Sequence, residues 1–146
     1  MKTDLLIIGS GPGGYRAAGY AARNGLSVVV AERDQAGGTC LNAGCIPTKC
    51  LAHDASAAPS DFASAMERKA LVTQQLRTGV EQLLSAPGIT LVRGQAAFTD
   101  AHTVTIGDTT VEADNIIIAT GSESRMPPLT GIDNPRVITS TEALQL

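Results

Sequence analysis

The chain has 146 residues, enough for one domain with a core of its own, and its 43% hydrophobic and 17% charged residues are those of a globular protein. A net charge of −3, no basic run and few aromatics (no Trp, two Tyr, two Phe) argue against nucleic acid as a partner. The apolar run after Lys2 covers only Leu5 to Ile8, too short for a signal core or a membrane span, so a cytoplasmic protein without a membrane partner is expected.

Thr3 to Gly9 reads as a strand buried on both faces, being almost continuously apolar. Gly9-Ser10-Gly11-Pro12-Gly13-Gly14 follows and matches G-x-G-x-x-G. Tyr15 to Arg23 reads as a helix with Ala17, Ala18, Ala21 and Ala22 as its packing face, and Asn24-Gly25 ends it. Ser27 to Ala31 is a second buried strand, closed by Glu32. A lone glycine motif is weak, but here it has a strand before it, a helix and strand after it, and an acid at the expected distance. The loop would admit a pyrophosphate against the backbone at a helix N-terminus, and Glu32 could accept from ribose hydroxyls. The alternative is a glycine-rich turn with a solvated glutamate. Glu32 argues modestly against a 2′-phosphate, since Arg33 follows it; Asp34 reads as a surface charge.

Gly37 to Lys49 then gathers Cys40, Cys45, three glycines and a lysine. The glycines would let the backbone fold tightly against a planar cofactor. Pro47 suits the first turn of a helix, which places Cys45 near its N-terminus, where unpaired N–H groups favour thiolate, with Lys49 one turn on. Cys40 and Cys45 therefore read as a redox pair. Two buried thiols or a structural bridge remain open from spacing alone. Zinc is disfavoured, since no second Cys/His pair stands at ligand spacing.

The helix from Cys45 is expected to run to about Ala58, with Cys50 a buried spectator and His53 solvated. Ala57 to Asp61 would break it, and Ser60 or Asp61 could cap a helix from Phe62 to about Ser85. That helix has an apolar side (Phe62, Ala65, Met66, Leu71, Val72, Leu76, Val80, Leu83, Leu84), and its charges read as an exposed face rather than a site. Ile89 to Val92 is a third strand. Three short runs, Gln95–Thr99, Thr103–Ile106 and Thr109–Glu112, read as an antiparallel meander, with His102 solvated at a turn. Asn115 to Ala119 reads as another buried strand ending in Thr120-Gly121-Ser122, where ligands approach a parallel sheet. The fold class expected is α/β, Rossmann-like, a parallel sheet flanked by helices with a small meander. Residues 1–122 form the first segment of a nucleotide-binding domain and 123–146 a connector toward a further domain, with a helix starting at Ser140.

With GSGPGGYRAA, GGTCLNAGCIPTK and NIIIATGS in view, the sequence resembles the FAD-dependent pyridine nucleotide–disulfide oxidoreductases, and the run Leu41 to Pro47 leans toward their dihydrolipoamide-oxidising branch. The resemblance implies FAD as cofactor, with NAD bound by a domain found in longer relatives. It implies that Gly9, Gly11 and Gly14, with Ser10, Pro12 and Gly13 of the same loop, cradle the pyrophosphate, and that Glu32, beside Arg33, holds the adenosine ribose. Gly38, Thr39 and Cys40 line the flavin side, Cys45 is the thiol against the flavin, and Cys40 meets the substrate. Lys49 sits near the flavin, Ala96 contacts the adenine through its backbone, and Thr120, Gly121 and Ser122 lie close to FAD. Implied partners are a lipoyl-bearing or small disulfide substrate, a second copy in a homodimer, and a 2-oxo acid dehydrogenase or glycine cleavage complex. Glutathione- or mercuric-type reductases, and a non-catalytic nucleotide-binding module, are the alternatives. Departures are Thr48 where Ser is common, Cys50 where a small apolar residue is usual, and a shorter segment after Lys49. Longer relatives carry the NAD site and the acid/base pair further along, so the 146 residues alone are expected to be inactive.

Overall fold

A computed structural model describes residues 1–57 and 61–146. The order is β1 (Lys2–Ile8), α1 (Pro12–Arg23), β2 (Val28–Glu32), α2 (Gly38–Asn42), α3 (Cys45–Ala57), α4 (Phe62–Leu84), β3 (Ile89–Arg93), β4 (Ala96–Phe98), β5 (Thr103–Ile106), β6 (Thr109–Ile118) and α5 (Ser140–Ala143). One six-stranded sheet runs β3-β2-β1-β6-β5-β4. β3, β2, β1 and β6 are parallel neighbours, while β4-β5-β6 is the antiparallel meander.

Side chains alternate across a strand, so β1 and β2 feed two cores. Leu5, Ile7, Val28 and Val30 pack with Ala18 and Ala21 of α1, Leu41 of α2 and Val80 and Leu84 of α4. Leu6, Val29 and Ala31 point the other way, onto Val104, Ile106, Val111 and Ala113 of the meander. All five residues of β2 are buried: Val28 to Ala31 as a central strand's apolar residues should be, and Glu32 at its carboxyl end as a buried charge. This arrangement brings the carboxyl ends of β1, β2 and β6 to one edge of the sheet, where the glycine loop, Glu32 and Thr120 follow them.

Several elements differ from the sequence reading. β6 is one ten-residue strand, where two runs were expected. Its first part pairs with β5, through Thr109 to Glu112, and its second continues along β1 to Ile8↔Ile118. Because β5 stops pairing at Glu112, the end of β6 is less covered than a buried strand: Ile117 is 39% and Ile118 66% exposed. α4 buries Ala65, Thr73, Val80 and Leu84, leaving Phe62, Leu71, Leu76 and Leu83 of the expected apolar side exposed. Asp61 caps α4, its carboxylate accepting from the Ser64 N–H at 2.9 Å. The expected end of the preceding helix at Ala58, and Ser60 as an alternative cap, lie outside the described residues. No described helix is long and apolar enough to cross a membrane.

Candidate functional site

A cleft of about 1700 Å3 opens at the carboxyl edge of the sheet. That exceeds the roughly 300–1,000 Å3 of an ordinary small-molecule pocket and suits an extended dinucleotide. Among the residues expected to bind a cofactor, Gly9, Ser10, Gly11, Pro12, Gly13, Glu32, Arg33, Gly38, Thr39, Cys40, Ala96, Thr120, Gly121 and Ser122 line it. They come from five stretches of chain, brought together only by the topology.

The loop between β1 and α1 is built for close approach. Pro12 opens α1 at a position that needs no N–H, and Gly11 precedes it in extended conformation. Gly14 is buried beneath the loop, where a Cβ would lie 1.8 Å from the Gly9 carbonyl oxygen. Gly14 therefore serves the packing of α1 against β1, and the cleft surface belongs to the earlier residues of the motif.

The cysteine stretch approaches the same loop. Gly37 and Gly38 have φ of +98° and +62°, and a Cβ on Gly38 would sit 2.7 Å from the Gly11 Cα. That turn starts α2, a short helix where the sequence suggested only a glycine-rich bend. Asn42 at its end donates to the carbonyls of Ala36 and Gly38, both at 3.0 Å, and accepts from Arg77 Nε at 3.0 Å. α2 is thus tied to its own start and to α4.

Cys40 lies on α2 at the cleft wall, and Cys45 is the first residue of α3. Both are free thiols, and the chain folds back between them: a Cβ on Gly44, the residue before Cys45, would sit 3.4 Å from the Cys40 Cα. Cys45 pushes the Cys40 thiol above its ordinary value, first as a hydrogen-bonding side chain; burial and the charge of Cys45 add to this, and Lys49 opposes it weakly. Cys45 and Lys49 are exposed and fall outside the cleft lining, because α3 turns Pro47 and Cys50 inward instead. Cys50 is 8% exposed, the buried spectator expected. His53 is exposed beside Asp54, which Arg68 holds below the usual carboxylate range, and His102 is exposed at the meander turn. The described residues hold no cluster of three or more metal-type ligands.

Glu32 lines the same cleft and is 8% exposed. Its Oε2 accepts from the Ser10 N–H at 2.9 Å and the Ser10 hydroxyl at 2.5 Å, and its Oε1 from the Asp34 N–H at 2.9 Å. Burial pushes its carboxyl up, but the donors from Ser10 and Asp34, with the charge of Arg93, outweigh it and hold Glu32 below the ordinary range.

Sequence reasoning missed one wall. Lys69, Ala70, Thr73, Gln74 and Arg77 of α4 line the cleft. Their spacing places them on one helical face, but nothing local distinguishes that face from a solvated one. Thr73 Oγ1 is buried in this wall without a hydrogen-bond partner. Lys69 Nζ donates to the Leu144 carbonyl at 2.6 Å, drawing the segment after Thr139 to the cleft rim.

A glycine loop at a helix N-terminus, an ionised buried glutamate at the next strand end and a neighbouring thiol pair together define a dinucleotide-binding, dithiol-bearing domain. Residues 3–146 match the family model described as pyridine nucleotide-disulphide oxidoreductase, and the chain belongs to that family, whose cofactor is FAD. It is similar to the dihydrolipoyl dehydrogenase of Haloferax volcanii, 41% identical over 165 aligned positions covering 98% of this chain and 35% of that one. It is also 40% identical to the dihydrolipoyl dehydrogenase of Geobacillus stearothermophilus, covering all of this chain and 35% of that one. Among solved structures, a Cu(II) complex of the HOCl-induced flavoprotein disulfide reductase RclA from Escherichia coli matches with a TM-score of 0.95 at 37% identity, over all of this chain and 35% of that one. The chain thus spans about a third of the length of the relatives it matches.

The residues present fit FAD. The cleft has ample volume, the glycine loop lines it with bare backbone, the Glu32 carboxyl is held below the ordinary range by its donors, and Thr73 offers an unused hydroxyl.

Proposed function

We propose that this chain provides the FAD site and the redox-active dithiol of a dihydrolipoyl dehydrogenase. Bound FAD would supply a two-electron relay between the dithiol and NAD+. The chain's own part is to hold the cofactor along the carboxyl edge of the sheet and to present Cys40 and Cys45 at its end. Gly9, Ser10, Gly11, Pro12 and Gly13 form the pyrophosphate wall, with Gly14 packing α1 behind them. Glu32 and Arg33 stand at the ribose, and Ala96 offers its backbone to the adenine. Gly38, Thr39, Thr120, Gly121 and Ser122 flank the flavin, and Lys49 keeps positive charge near the pair.

In the thiol step, a dihydrolipoyl thiolate attacks the Cys40 sulfur of the Cys40–Cys45 disulfide, breaking that bond and releasing Cys45. The second substrate sulfur then closes the substrate disulfide and expels Cys40. Two electrons and two protons leave the substrate, and the protein ends as a dithiol. The single observation carrying this reading is Cys40 on a wall of the nucleotide cleft with the free thiol of Cys45 close behind it at the start of α3.

The lipoyl-bearing substrate, a homodimeric assembly, service to a 2-oxo acid dehydrogenase or glycine cleavage complex and a cytoplasmic setting belong to the same proposal. Residues 1–122 would form the FAD-binding segment and 123–146 the connector toward an NAD-binding domain. The 146 residues measured alone are expected to give no NAD+-dependent turnover. A second reading, a disulfide reductase for another substrate, is supported by the likeness to the Escherichia coli flavoprotein disulfide reductase. Anaerobic incubation of the oxidised, FAD-loaded protein with dihydrolipoamide or glutathione separates the two. Faster release of free thiol from Cys40 and Cys45 with dihydrolipoamide supports the first reading; equal or faster release with glutathione supports the second.

A further inference from the structure

The motif G-x-G-x-x-G leaves its second position unspecified, and here Ser10 fills it with no exposed surface at all. We propose that Ser10 is a positioning residue that clamps one carboxylate oxygen of Glu32, so that the other oxygen presents a single acceptor site to a ribose hydroxyl of an adenine nucleotide. This rests on the reading of the cleft as the FAD site.

Counting acceptor sites carries the inference. A carboxylate has about four lone-pair directions, two on each oxygen. Both on Oε2 are taken by Ser10, through its hydroxyl at 2.5 Å and its N–H at 2.9 Å. One on Oε1 is taken by the Asp34 N–H at 2.9 Å. One acceptor site remains, on a carboxylate that lines the cleft. Three donors from two sides leave the group no freedom to rotate, so it meets the ribose already oriented. Of the charged groups on neighbouring elements, Arg93 of β3 acts on Glu32 and favours its charge. Ser10 has no exposed surface, and its hydroxyl is spent on Glu32, so its effect on a ligand passes through that residue.

The test compares binding of FAD, ADP and 2′,3′-dideoxy-ADP to the parent protein, Ser10→Ala, Glu32→Gln and the double variant, by flavin fluorescence and calorimetry. Expected results are a loss of FAD affinity of about tenfold for Ser10→Ala, the scale of one charge-assisted hydrogen bond, and a fall in its preference for ADP over the dideoxy nucleotide toward that of Glu32→Gln. The double variant should be no weaker than Glu32→Gln alone. Equal loss for ADP and dideoxy-ADP, or effects that multiply in the double variant, would overturn the proposal and leave Ser10 a packing residue. A parent that binds neither FAD nor ADP would instead sink the cofactor reading. Should Ser10→Ala not fold, Ser10→Cys keeps the size, weakens the donor and carries the same comparison.

Discussion

Gly38 and Gly11 meet backbone to backbone: a Cβ on Gly38 would come within 2.7 Å of the Gly11 Cα. This contact ties the cysteine stretch to the nucleotide loop, residues far apart in any local reading of the chain. It places Cys40 on the wall of the same cleft as Glu32. Replacing Gly38 by alanine is expected to destabilise the fold by about 1–3 kcal/mol, since φ is +62° and the added methyl meets backbone. Denaturant melts should show the loss, and FAD affinity should fall with it. An unchanged melt would mean that the two segments do not touch.

Cys45 keeps Cys40 protonated to a higher pH than a free thiol. Removing that partner while leaving Lys49 should reverse the effect. In Cys45→Ser, the pH midpoint for alkylation of Cys40 by iodoacetamide is expected to fall relative to the reduced parent. A midpoint that stays or rises contradicts the contact between the sulfurs. Cys50, buried on α3, should alkylate slowly in both proteins unless they are unfolded.

Glu32 gives stability a definite pH dependence. Its folded value is depressed below the ordinary carboxylate value near 4.3, so its contribution is fully present above that pH. It fades as pH falls through the lower folded value, because the unfolded chain then binds the proton more readily. Glu32→Gln should remove this part of the acid limb and bring the melting temperatures of variant and parent closer together as pH drops below about 4. A gap that widens with acid contradicts the assignment.

Asn42 ties α2 to α4 through Arg77 and closes α2 on the carbonyls of Ala36 and Gly38. Asn42→Ala should cost about 1–3 kcal/mol, the range for lost hydrogen bonds that leave partners unsatisfied. Air oxidation of the Cys40–Cys45 pair should also slow, because α2 then holds Cys40 less firmly. A stability loss without slower oxidation would confine Asn42 to a structural role.

The sequence carried the β1–loop–α1–β2 unit well, because its signals are local: continuous apolar strands, glycines between strand and helix, an alanine face and an acid at the next strand end. Cys40 and Cys45 read as a redox pair only beside the glycine motif and the helix signal at Pro47, since their spacing alone left buried thiols or a structural bridge open. α2 was not legible, since three glycines in a row of thirteen residues read as a bend until Asn42 and Arg77 are brought together. β6 looked like two strands because Ala113 and Asp114 interrupt its apolar pattern, whereas the ladder to β1 runs on through Ala113. The cleft-facing side of α4 was hidden for a similar reason. Lys69, Gln74 and Arg77 have the composition of a solvated face, and only the position of the helix beside the sheet edge makes them a wall.

The central claim is that FAD and the Cys40–Cys45 pair form one electron-accepting unit. Anaerobic dithionite titration of the oxidised, FAD-loaded protein measures this directly by counting electrons taken up per flavin. The account predicts that the parent takes up twice as many as Cys40→Ser, with a thiolate-dependent absorption beyond the flavin band midway through the titration. Equal uptake by the two proteins, with no such absorption, would contradict it.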